Sequence, residues 1–102
     1  MSYYVSFGIT ERSFRDAFKR IIGDDIDDRK LFAGFTVIVP DKSIVWIWTK
    51  DKDIPNLAHE VFHAVDLAMD NRGVRLNDGS DEVYAYQISM LMRKILKTGY
   101  QG

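Results

Sequence analysis

Apolar residues recur along this chain at two periods, and the switches between them mark its elements. From Tyr3 to Phe7, β-branched and aromatic residues alternate roughly with polar ones, which predicts a first strand. Phe14, Phe18, Ile21 and Ile22 then fall at i, i+4, i+7 and i+8, a single stripe on a helix from Glu11 to about Ile22. Thr10 is its expected N-cap, and Gly23 stands where a helix of that length should end. Leu31 to Val39 and Ile44 to Trp48 are two β-rich runs, and Pro40-Asp41-Lys42-Ser43 between them predicts a hairpin. The second run is apolar at every position. Either it is central in the sheet, or its outer face and edge are covered by something else. Trp46 and Trp48 share one of its faces, where they would cover a helix or line a binding cleft.

The period of the helix returns after Asp53, a capping residue followed by Pro55 in the first turn. A helix from Ile54 to about Asn71, with Gly73 past its end, puts Leu57, Val61, Ala64 and Ala68 on one apolar face. His59, His63, Asp66 and Asp70 share a polar stripe on the other side. A last helix from Ser80 to about Lys97 carries Asp81 and Glu82 in its first turn and Arg93, Lys94 and Lys97 in its last, as the helix dipole prefers. Tyr84, Ile88, Leu91 and Ile95 form its core stripe, and Gly99 closes it. These elements describe one α+β domain over residues 1–102, with about three strands in a mixed or antiparallel sheet and three helices packed against it.

Composition narrows the chemistry. The chain has 102 residues, 46% of them hydrophobic and 28% charged, as a globular domain does. Fourteen basic against fifteen acidic residues leave a net charge of −1, so nucleic-acid binding has no electrostatic support. Asp24, Asp25, Asp27 and Asp28 crowd one connection, but the glycine and closing glutamate of a Ca²⁺-binding EF-hand loop are missing, and a solvated loop is expected. No apolar run approaches bilayer length and no leader pattern opens the chain, so a cytoplasmic protein, without a membrane partner, is expected. There is no cysteine, which leaves His, Asp and Glu as the available metal ligands.

The only two histidines, His59 and His63, stand four residues apart in His59-Glu60-Val61-Phe62-His63. One helical turn apart, two imidazoles can grip one Zn²⁺, with Glu60 directed at the open position as a general base. Catalytic zinc usually takes a third protein ligand. Asp66 lies about 10 Å along the helix axis from His59 at 1.5 Å per residue, too far for one straight helix to share an ion among all three. It either orients His63 or is merely solvated. Glu82 stands at the start of a separate helix that can return antiparallel to the first, nineteen residues after His63.

That spacing resembles the gluzincins, the thermolysin-like branch of the zincin metallopeptidases. His-Glu-Val-Phe-His-Ala-Val-Asp followed by Asp-Glu-Val-Tyr-Ala-Tyr is also similar to small zincin-like proteins of bacteriophages. The resemblance covers roughly residues 30 to 97 and implies a minimal zincin domain holding one Zn²⁺. It makes His59, His63 and Glu82 the ligands and Glu60 the base that activates water. The chain departs from the family at Tyr86, where larger gluzincins carry an Asp that steadies a ligating histidine, and it is too short for the second lobe that supplies their transition-state donors. Tyr86, one turn after Glu82, is then the local candidate for an oxyanion donor, or else a structural tyrosine.

Two functions follow as expectations. One is a zinc-dependent peptidase acting on a peptide or protein, its substrate strand adding to a free sheet edge, for instance beside Ile44 to Trp48. The other is a non-catalytic, zinc-stabilised phage protein that binds a host or virion partner, which an exposed Trp46/Trp48 patch would favour.

Overall fold

Ile44–Thr49 is buried at all six positions because it is the middle strand of three. The computed structural model describes residues 1–26, 31, 33–77 and 79–99. Among them the chain runs β1 (Ser2–Phe7), α1 (Glu11–Ile22), β2 (Gly34–Val39), β3 (Ile44–Thr49), α2 (Ile54–Asn71) and α3 (Asp81–Gly99). The strand order is β1-β3-β2. β1 lies parallel to β3, with Ser2 opposite Ile44, and β2 lies antiparallel, with Gly34 opposite Thr49. The expected hairpin is therefore β2–β3, turning through a 3₁₀ segment at Pro40–Lys42. Its first strand is shorter than the apolar run beginning at Leu31. Asp27 and Asp28 of the acidic connection lie outside the described residues, whereas Asp24 and Asp25 are exposed.

Side chains alternate across β3, and each face has its own cover. Val45 and Ile47 join Leu57, Val61, Val65, Leu91 and Ile95 of α2 and α3 in one core. Ile44, Trp46 and Trp48 join Phe14, Phe18 and Ile22 of α1 in a second core on the opposite face. The molecule is thus three layers: α1, the sheet, and the α2–α3 pair. An open strand of this apolarity would be an aggregation hazard, and covering both faces removes it.

The tryptophans belong to the α1 core and line no cleft. Trp46 is 3% exposed and Trp48 is not exposed at all. Phe14 stacks on Trp48 with ring centroids 5.3 Å apart and meets Trp46 edge-on at 5.8 Å. Each indole N–H finds an acceptor, Trp46 at Ser6 Oγ (3.0 Å) and Trp48 at the Ile9 carbonyl (2.7 Å), as buried indoles must. The surface patch that would have favoured a protein partner does not form.

Local signals set the helix ends where expected. Thr10 Oγ1 accepts from the Ser13 N–H, and Asp53 Oδ2 accepts from the Asn56 N–H at 3.0 Å. Gly23, at φ 94°, donates its N–H to the Lys19 carbonyl in the left-handed cap that a Cβ would strain. Ile21 departs from the expected stripe. The buried face of α1 centres on Phe18, and Ile21 falls about 60° from that centre at about 100° per residue, on the exposed margin.

β3 is paired along both sides, so no substrate can add beside Ile44 to Trp48. Among the described residues the free edges belong to β1 and β2. Among the described residues no helix is long and apolar enough to cross a membrane. Because Phe14 fills the space between the two tryptophans, Phe14→Ala should cost about 3–5 kcal/mol of stability. Urea denaturation followed by tryptophan fluorescence measures this. A loss below about 1 kcal/mol would mean that α1 is not clamped to β3 as described.

Candidate functional site

The rotation of α2 is set by the residues it buries. Leu57, Val61, Ala64 and Val65 are fully buried against the sheet and α3. With that face inward, His59 and His63 point outward and are exposed. Glu60, about 100° round from His59, falls on the boundary between the exposed stripe and the core. Its relative exposure is only 9%. A groove of about 290 Å³ opens there between α2 and the β2 edge, lined by Phe35, Thr36, His59, Glu60, His63, Asp66 and Leu67.

The imidazoles converge. His59 Nε2 and His63 Nε2 lie 3.1 Å apart, with ring planes at 81°. Two nitrogens on a tetrahedral zinc at about 2.0–2.1 Å are separated by about 3.3–3.4 Å, so the pair already matches one edge of such a sphere within a small ring movement. Binding through both Nε2 atoms requires the ring protons on both Nδ1 atoms. Together the two imidazoles would span one edge of a zinc site.

A buried carboxylate needs a partner. Glu60 Oε1 accepts a hydrogen bond from Thr36 Oγ1 at 2.6 Å, while the Glu60 carbonyl lies 3.1 Å from the same hydroxyl. One hydroxyl proton serves one acceptor at a time, and the shorter, charge-assisted contact to the carboxylate is the stronger. Gly34, two residues before Thr36 and on the same face of β2, makes the room. A Cβ there would stand 3.0 Å from both Cγ and Oε2 of Glu60 and 3.1 Å from the Trp48 carbonyl.

Neither Gly34 nor Thr36 stood out in the sequence. The available signal was an isolated glycine inside a β-rich run, which marks close approach by another group. The backbone of the same residues faces outward. The Lys50 N–H bonds the Ala33 carbonyl at 2.9 Å, so alternation along an antiparallel ladder turns Ala33, Phe35 and Val37 toward β3. The amides of Gly34, Thr36 and Ile38 point to the free edge, bordering the groove.

Asp66 lines the groove, but its carboxylate is engaged elsewhere. Asp66 Oδ1 accepts from Tyr84 Oη at 3.3 Å, and the Val74 carbonyl lies 3.2 Å from the same hydroxyl. This bond ties α3 to α2 and, among the described residues, is the one hydrogen bond of the Asp66 side chain, which does not bond His63. It also fixes the rotation of α3. Tyr84 is 2% exposed and turned inward, and Glu82 and Tyr86, two residues to either side, fall about 160° away. Both are on the outer face, Glu82 exposed and Tyr86 63% exposed. The structure therefore does not bring Glu82 to the histidines, nor Tyr86 to the groove. Among the described residues no group of three or more His, Asp or Glu is drawn together around an ion position.

Burial first, and then the neighbouring Asp66 carboxylate, push the Tyr84 phenol above its usual value of 10.0. Folding thus favours the protonated phenol. That stabilisation is complete below about pH 10 and lost as pH rises through the higher folded value. Tyr84→Phe should abolish this part of the alkaline loss of stability, measured as the melting temperature between about pH 9 and 11.5. An unchanged alkaline slope in the variant would contradict it.

Comparison with protein-family models, with curated proteins and with solved structures finds no match for this chain.

Proposed function

We propose that this protein is a zinc-dependent peptidase of the His-Glu-x-x-His type, with His59 and His63 as ligands and Glu60 as general base. The observation that carries the reading is the 3.1 Å convergence of two imidazole Nε2 atoms beside a nearly buried carboxylate in one groove. Among the described residues no third His, Asp or Glu is grouped with the pair, so the two histidines are the protein ligands that this conformation offers.

A bound Zn²⁺ would supply Lewis acidity, polarising a scissile carbonyl and making water acidic enough to attack it near neutral pH. Glu60 takes a proton from the attacking water and passes it to the leaving amine as the C–N bond breaks. The substrate lies extended against β2, where the outward amides of Gly34, Thr36 and Ile38 can pair with its backbone and hold the carbonyl at the groove. Strand addition favours unfolded or loop segments over helices, since only an extended chain can continue a sheet.

Glu60→Gln should retain stoichiometric zinc by elemental analysis while lowering cleavage of a peptide library at least about a hundredfold. His59→Ala should lose the zinc as well. Cleavage at the wild-type rate in Glu60→Gln would sink the mechanism. Zinc binding that raises the melting temperature with no cleavage by the wild type would instead favour the non-catalytic reading.

A further inference from the structure

The edge strand does two things with the same residues. Gly34 and Thr36 present their amides outward to the free edge and their α2-facing positions to Glu60. We infer that these two residues form a notch that fixes the Glu60 carboxylate, with Thr36 and Gly34 as positioning residues and neither touching the reacting atoms. For catalysis this rests on the peptidase reading above; for the fixing of Glu60 it stands by itself.

Three observations carry it. Glu60 is one of only two buried polar or charged residues among those described, the other being Thr49. Among the described residues its Oε1 has a single short side-chain bond, to Thr36 at 2.6 Å. The wall opposite its Cγ and Oε2 is Gly34, where an added methyl would also meet the Trp48 carbonyl, part of the β3 backbone and unable to give way. The exposed end of a glutamate has several rotamers of similar energy. Here a donor on one side and a backbone wall on the other leave one. Because the notch is made by the strand that the substrate would extend, seating a strand on β2 and orienting the base become one event. A shift of β2 would move both.

The experiment has two arms. In the first, a stability cycle compares wild type, Thr36→Val, Glu60→Ala and the double variant by urea unfolding, without substrate. Thr36→Val should raise the unfolding equilibrium constant about tenfold or more when Glu60 is present, because it strands a buried carboxylate, and hardly at all when Glu60 is Ala. Additive effects would overturn the inference.

In the second arm, zinc-loaded Thr36→Val and Gly34→Ala are assayed on the peptide that the wild type cleaves. Both should keep their zinc. Both should lose about ten- to a hundredfold in kcat with KM within about threefold, because the amides of β2 are unchanged while the base is misplaced. Thr36→Ser, which keeps the hydroxyl, should restore most of the rate. Wild-type kcat in Thr36→Val, with Glu60→Gln inactive, overturns the positioning role and leaves the peptidase reading intact. If wild type and Glu60→Gln are equally inert, the peptidase reading falls, and the stability cycle alone decides whether the notch holds Glu60.

Discussion

The burial of β3 on both faces is the constraint from which the rest follows. Six successive buried residues, two of them tryptophan, cannot be left against water on either side. One face takes α1 through Phe14 and Phe18, and the other takes α2 and α3. Once β3 is central, β1 and β2 become the edges. Once α2 must cover Val45 and Ile47, its rotation is settled by Leu57, Val61 and Ala64, and the histidines turn outward.

That rotation is what gives Glu60 its character. It stands at the seam between α2 and β2, too far round to be solvated like the histidines and too polar for the core. The seam accommodates it through Thr36 and the missing side chain of Gly34. From the sequence alone, a glutamate between two histidines had no evident purpose except catalysis. In the fold it also ties α2 to the edge strand, so Glu60 has a structural duty beside any chemical one. The desolvation cost of a carboxylate at this point is offset by a short charge-assisted bond, and a precise orientation results.

α3 illustrates a different limit. Its extent and its core stripe of Tyr84, Ile88, Leu91 and Ile95 were readable from period alone. Its first-turn glutamate had the right spacing after His63 for a third ligand. Spacing places a residue along a helix, but the helix's rotation is set by what its other side buries. Tyr84, held by Asp66 and the Val74 carbonyl, turns Glu82 and Tyr86 away together.

What the sequence by itself determined was local. Thr10 and Asp53 cap, Gly23 terminates, Pro40 to Ser43 turn, and the 3.6- and 2-residue periods divide helix from strand, because each depends on sterics and hydrogen bonds within a few residues. The pairing of the two histidines on one helical face belongs to this class too, since four residues on a helix make neighbours. Only the tertiary structure decided which strand is central, which edge is free, which face of α3 meets α2, and what touches Glu60. Thr36 is 24 residues from Glu60, and Tyr84 is 18 from Asp66. Contacts of that separation depend on how whole layers dock, and docking is fixed by the summed burial of many side chains, which no short window of sequence contains.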